Sequence, residues 1–243
     1  MEKIESLQNA RIKKWTRLHT KKGRDEMKRF LVEGEHLVEE ALKANVVETI
    51  ITDTTSPFDF EEVVYVSDAV MKKLTQNVSK AHLIAVCKEM DLGVDHFERL
   101  LILDGVQDPG NLGTMVRTAI AFSFDAVYLS NQCADLYNDK TIRSTQGALF
   151  HIPVIRMNGD MNDLVTNLQN EGVNVVATTL DDALPMQEVV VKDKMAFILG
   201  NEGQGVSKNL QEMADQRLRI EMQGFESLNV AVAAGIVMYQ YRK

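Results

Sequence analysis

Cysteine is almost missing from this chain of 243 residues. Only Cys87 and Cys133 occur, far apart and with no histidine at ligand spacing beside either. That excludes a disulfide framework and gives no reason to expect a zinc site. Apolar character is low at the start too: the opening MEKIESLQNARIKK has no apolar core of the kind a secretory signal needs, so none is expected. The longest uncharged, mainly apolar stretch, NVAVAAGIVMY, is shorter than the roughly 20 residues a bilayer demands. A cytoplasmic protein without a membrane segment is expected. There are no internal repeats and no low-complexity tracts. Neither GxSxG nor HExxH occurs, and the histidines (His19, His36, His82, His96, His151) are scattered, so a serine-hydrolase elbow and a zincin are both excluded. No metal is expected. The adjacent carboxylates Glu61 and Glu62, and Asp181 and Asp182, read as solvated surface.

What is present is an ordinary globular composition, 45% hydrophobic and 26% charged, in a length that suits one large or two modest domains. The net charge of -8 argues, as a total, against a nucleic-acid partner. Its distribution argues otherwise. Residues 1–30 hold ten Lys and Arg against four acids, which makes this segment +6 and leaves -14 for the rest. Arg11, Lys13, Lys14, Arg17, Lys21, Lys22 and Arg24 therefore suggest a basic arm that meets phosphates. A solvated amphipathic helix is the alternative on charge alone.

Beyond the arm, FLVEGEHLVEEALKANVVETIIT reads as strand, helix, strand, with Leu37, Val38, Ala41 and Leu42 at helical spacing. VVYVS, a helix opened by Ser67 or Asp68, and HLIAVC repeat the alternation, so residues 30–92 form a small α/β domain. KEMDLGVDHFER is the expected linker. From residue 98 to 243 a second α/β alternation runs, with strands at LLILDG, AVYLS, HIPVIRM, VNVVATT, MAFILG and RLRIEM. Helical patterns fall near 111–123, 138–146, 160–170, 207–215 and 228–242. This predicts a largely parallel sheet with its sites at the strands' C-terminal ends.

Three strand-to-helix junctions carry unusual residues. In LLILDGVQDPGNLGTMVRTAIAFSF, Pro109 and Gly110 force a turn and Asn111 is the expected cap of the helix that follows. Leu112, Met115, Val116 and Ala119 form the apolar stripe. Arg117 falls opposite it near Gly113 and Ala121, with room for a bulky anion, although a solvated surface arginine has the same pattern. In MAFILGNEGQGVSKNL, Gly200, Gly205 and Ser207 approach a P-loop, but Val206 takes the place of its lysine, so no triphosphate is held. The loop suits close backbone approach by something else, with Glu202 as its polar handle. In RLRIEMQGFESLNVAVAAGIVMYQYRK, Ser227 is the expected cap of the last helix, with Asn229 one residue inside its first turn. Ala231, Ala233, Ala234 and Gly235 keep that helix slim, as at a helix crossing in a dimer interface or at a tight chain crossing.

Together, in this order, DPGNLGTMVRTA, ILGNEGQGVS and RIEMQGFESLNVAVAAGI resemble the three motifs of the SpoU (TrmH-like) RNA methyltransferases of the SPOUT family. DLYNDKTIRSTQGALFHIPV, with Arg143, resembles the family's intervening segment. The residues before it are similar to the RNA substrate-binding domain often fused to these enzymes. The resemblance implies an α/β fold, a C-terminal parallel sheet tied in a deep trefoil knot, and a homodimer with its active site formed across two copies. S-Adenosyl-L-methionine (AdoMet) is the implied cofactor, surrounded by Thr178, Leu180, Gly200, Asn201, Glu202, Gly203, Ile220, Met222, Ser227, Leu228 and Asn229. Asn111 and Arg117 are implied to face RNA, and Arg117, Asn111, Glu202, Ser227 and Asn229 make up the catalytic set. The implied reaction is methyl transfer to a ribose 2′-hydroxyl of structured RNA, rRNA favoured over tRNA. A non-catalytic RNA-binding protein of the same fold is the alternative. The family usually has proline between the Ile and Met of the third motif, where this chain has Glu221. A guanidinium stays protonated, so Arg117 is expected to hold a phosphate and stabilise developing alkoxide charge rather than to take a proton.

Overall fold

The structure, a computed structural model, describes residues 3–76, 81–90, 92–223 and 227–243. The described parts form two compact units. Residues 1–91 with 137–150 make the first, and residues 92–136 with 151–243 the second.

The first unit opens with α1 (Ala10–Thr16), capped by Asn9, whose side chain accepts from the Arg11 N–H at 2.8 Å. A 3-10 turn, Arg17–His19, and α2 (Lys21–Met27) follow. Then come β1 (Arg29–Glu33), α3 (Glu35–Lys43), β2 (Val47–Thr52), β3 (Val63–Tyr65), α4 (Asp68–Leu74) and β4 (Leu83–Lys88). Their sheet has the order β1-β4-β2-β3, with only the β2–β3 pairing parallel. Residues 1–30, expected from their charge to form a separate arm, do not stand apart. Ile12, Trp15 and Leu18 recur every third residue and are buried with Leu31, Ile51, Met71 and Ile84. The helices present charge to solvent on one side and supply core on the other, and only the first of these signals is visible in a count of Lys and Arg.

The second unit runs β5 (Arg99–Leu103), α5 (Pro109–Ala121) and β6 (Ala126–Leu129). The chain then enters the first unit again as α6 (Asp139–Thr145) before returning as β7 (Val154–Arg156), α7 (Met161–Asn170), β8 (Asn174–Thr178), β9 (Leu184–Pro185), β10 (Met195–Leu199), α8 (Lys208–Met213), β11 (Gln216–Arg219) and α9 (Val230–Gln240). The excursion interrupts the continuous run expected from residue 98 onward. Its cause is aromatic. Tyr137 stacks on Phe30 with ring centres 4.4 Å apart, and Phe150 lies 6.4 Å from the same ring.

All seven strands of the second sheet are parallel, in the order β7-β6-β5-β10-β8-β11-β9. Its central strands β5 and β10 are buried throughout and apolar apart from Arg99 at the start of β5, as suits parallel strands between helical layers. At the N-terminal edge, Arg99 donates to the carbonyls of Tyr241 (2.8 Å) and Asp193 (2.7 Å), while the Asp125 carboxylate accepts from the Arg99 N–H (2.9 Å) and Lys243 (2.7 Å). The chain's end is thereby fastened beside the start of β5. The opposite edge, where the strands end, is left to loops.

Candidate functional site

Four loops, beginning at residues 104, 179, 200 and 220, leave the C-terminal edge of β5, β8, β10 and β11. In open α/β sheets that edge is the place for ligands. The loop after β10 is the most constrained. Asn201 and Gly205 exchange backbone hydrogen bonds at 3.0 and 2.9 Å, closing a tight turn. The Asn201 side chain accepts from the Gly203 N–H at 2.9 Å and donates to the Gly105 carbonyl at 2.8 Å, which pins the turn to the loop after β5. A Cβ on Gly200 would lie 2.0 Å from the carbonyl carbon of Gly205, so no other residue fits there.

Between these loops lies a cavity of about 350 Å³. Thr178, Leu180, Gly200, Asn201, Glu202, Gly203, Ile220, Met222, Ser227 and Leu228 all line it. Asn229, expected among them, does not. It caps α9 instead, in the role expected for Ser227, its side-chain oxygen accepting from the N–H of Ala231 at 2.9 Å and of Val232 at 3.3 Å. Glu221, where the family usually has proline, is exposed between the two lining residues Ile220 and Met222 and does not itself line the cavity. Residues 224–226 of the third motif lie outside the described residues.

Glu202 joins the three motifs. Its carboxylate accepts from the backbone N–H of Gln107 (3.2 Å) and Asp108 (3.1 Å) and from the Asn111 amide (3.1 Å). The Asn111 oxygen in turn accepts from Asn229 at 3.1 Å. Asn111, expected to cap α5, lies inside its first turn; Asp108 is the cap, and its carboxylate accepts from the backbone N–H of Asn111 at 2.9 Å. Partial burial by itself would raise the Glu202 pKa, but the donors from Asn111, Asp108 and Gln107 together bring it below the ordinary carboxylate value. Glu202 is thus a fixed anion, saturated with donors, and a poor proton acceptor.

Arg117 stands outside this cluster. It is exposed and has no hydrogen-bond or ion-pair partner among the described residues. Six residues beyond Asn111, it lies about 9 Å further along α5 and about 120° around it. Ser227 lines the cavity without joining the network. Of the basic residues expected to meet RNA, Lys13, Lys14 and Lys21 are exposed. Arg11 pairs with Glu62 at 2.5 Å, and Arg17 and Lys22 pair with Glu26. Arg143 pairs with Asp139 at 2.7 Å, one turn back on α6. Arg24 is only 4% exposed and donates to the Leu18 carbonyl, so it serves the core and meets no phosphate. Thr179, Gln204, Gln211 and Arg219 also line the cavity, although the sequence did not single them out. No pattern of residue types marks them. They reach it because β8, β10 and β11 are neighbours.

The lining suits AdoMet, which is part aromatic and part polar. Leu180 (56% exposed) and Leu228 (39% exposed) leave large apolar side chains open to solvent at the cavity, as a ligand's flat apolar part requires. The turn at Gly200–Gly205 offers backbone without intervening side chains. Among the described residues there is no group of three His, Cys, Asp or Glu placed to hold a metal, and no helix is long and apolar enough to cross a membrane.

Comparison with known proteins places the chain in a family. Residues 98–239 match the SpoU rRNA Methylase family, and residues 9–85 match the MRM3-like substrate binding domain. The chain is 44% identical, over all of both chains, to the 23S rRNA (guanosine(2553)-2′-O)-methyltransferase RlmP of Bacillus subtilis strain 168. An AdoMet-bound rRNA methyltransferase from Sinorhizobium meliloti superposes with a TM-score of 0.87 at 28% identity, covering 99% of this chain and 97% of that one. A solved RNA 2′-O ribose methyltransferase gives 0.82 at 30% identity, with 99% and 98% covered.

Proposed function

The chain belongs to the SpoU rRNA Methylase family, and on that premise we propose that it methylates the guanosine of 23S ribosomal RNA that the Bacillus subtilis relative modifies at position 2553. It is an AdoMet-dependent RNA ribose 2′-O-methyltransferase. The observation that carries the reading is Glu202, which lines the cavity and also fixes the Asn111–Asn229 pair beside it. Thr178, Leu180, Gly200, Gly203, Ile220, Met222 and Leu228 would hold the cofactor. When bound, AdoMet supplies an electrophilic methyl group on a sulfonium.

The residues' own work is orientation and charge. The Glu202 carboxylate holds the Asn111 amide by one N–H and leaves the other for RNA. Orientation of this kind removes much of the entropic barrier to transfer. Arg117 remains protonated, holds the phosphate next to the target ribose, and stabilises the alkoxide as it forms. The hydroxyl proton leaves to a phosphate oxygen or to water.

Arg117 lies too far around α5 to serve the Asn111 beside it, so we assign it to the site of a second copy of the chain. One further feature supports a homodimer. The last helix α9 is apolar all round, yet Val232 and Tyr239 are 52% and 56% exposed on it. In the first unit, exposed Lys13, Lys14 and Lys21 supply phosphate contacts in what we read as the RNA substrate-binding domain. A ribosomal RNA substrate supports a cytoplasmic location.

Labelled AdoMet and a 23S transcript test the whole reading. Label should appear at the guanosine corresponding to the relative's, with the transcript's other positions unlabelled. Mixing Arg117→Ala and Asn111→Ala chains should restore part of the activity each lacks alone. Label on a base, or no gain on mixing, would overturn the corresponding assignment.

A further inference from the structure

Loop 201–206 has a second side. Across it from the cofactor cavity, at the ends of β5, β6 and β7, lies a groove of about 980 Å³. Its lining is chemically uneven. Nine of its 21 residues are Asn or Gln, against 26 in the 243 of the chain, a concentration of about fourfold. Gln107, Asn131, Gln132, Asn158 and Asn209 are exposed there, and their side chains have no hydrogen-bond partner among the described residues. The groove also holds three carboxylates, Asp104, Asp160 and Asp181, and one cation, Lys208. Phosphate is therefore a poor occupant.

A carboxamide presents a donor and an acceptor side by side, and its planar complement is the edge of a nucleobase. Sequence-specific recognition of RNA works on bases splayed out of a helix, read along these edges. The groove shares Asn201, Gln204 and Val206 with the cofactor cavity. Gln107, on its wall, donates its backbone N–H to Glu202. We propose that this groove seats an unstacked base of the RNA next to the methylated ribose and reads it through Asn131, Gln132 and Asn158. The proposal rests on the methyltransferase reading of the neighbouring cavity and assigns to the groove the choice of nucleotide.

The test uses the full chain with Asn131→Ala and Asn158→Ala combined, two exposed side chains whose removal breaks no internal bond. The substrates are a 23S transcript spanning the guanosine that the relative modifies, and transcripts with other bases at that position and its two neighbours. KM for the first transcript should rise about 10–100-fold, and discrimination against the altered ones should shrink by a similar factor. The kcat at saturating RNA and the AdoMet affinity by calorimetry should stay at wild-type values. RNA binding by fluorescence anisotropy, which needs no turnover, should weaken by the same factor. Unchanged RNA affinity and discrimination would overturn the proposal, as would loss of AdoMet binding, which would make these residues part of the cofactor cavity. Failure of the wild-type chain to methylate any transcript would strike the methyltransferase reading instead, and anisotropy would still decide the groove.

Discussion

Single residues of the site carry two kinds of charge. Arg117 is exposed and makes no hydrogen bond or ion pair among the described residues, so Arg117→Ala should fold normally and bind AdoMet nearly as well as wild type. Single-turnover methyl transfer should fall by about 10²–10³, the usual effect of deleting one preorganised charge-stabilising group. Arg117→Lys should recover little, because an ammonium does not reproduce a planar fork on a phosphate. Glu202 is the opposite case, a charge saturated within its own chain. Its folded pKa lies below the ordinary carboxylate value, so what its charge contributes is complete above that ordinary value and is lost only as pH falls through the depressed one. Glu202→Gln should weaken AdoMet binding at neutral pH. The gap between variant and wild type should persist through the ordinary carboxylate range and close below it. A titration of AdoMet affinity against pH checks this, and a gap closing near neutrality would remove Glu202 from the cavity's electrostatics.

At the scale of elements, the loop after β10 and the two N-terminal helices are the informative cases. Gly200→Ala places a methyl against the backbone of Gly205 and Val206 at 2.0 Å, which the turn escapes only by opening. Thermal melting should show a destabilisation of about 2–4 kcal/mol, with AdoMet affinity reduced more than tenfold. This loop was legible in the sequence, because glycine spacing and a missing lysine state what the backbone does and what it cannot bind. The helices were half legible. Their charges stand out, but the third-residue recurrence of Ile12, Trp15 and Leu18 is short and interrupted by a 3-10 turn, so its burial does not follow from periodicity. Trp15→Ala should cost the first unit about 3–5 kcal/mol by denaturant unfolding. Replacing Lys13, Lys14 and Lys21 by Ala should leave stability alone. The slope of log K for RNA against log salt should then fall by about one unit for every phosphate no longer neutralised. Equal stability of the tryptophan and lysine variants would return these helices to the surface.

At the scale of the molecule, strand order made the site. The alternation of strands and helices states that the second sheet is parallel, but no local signal states that β10 inserts between β5 and β8, and it is that order which brings Glu202 to Asn111. Nor is the excursion of residues 137–150 into the first unit visible locally, since it depends on Phe30 more than a hundred positions earlier. A fragment beginning near residue 95 would accordingly expose Tyr137, Leu149 and Phe150, and the full chain is the proper reagent. The knot rests on family resemblance alone, and the homodimer on that resemblance together with Arg117 and α9. What the assembled site claims is that the hydroxyl of one ribose is the acceptor. The most direct measurement is methyl transfer to a 23S transcript carrying a single 2′-deoxyguanosine at the position the relative modifies. The transcript should bind with unchanged affinity, the groove and the phosphate contacts being intact, and accept no methyl group. Continued labelling of that deoxynucleotide would contradict the account.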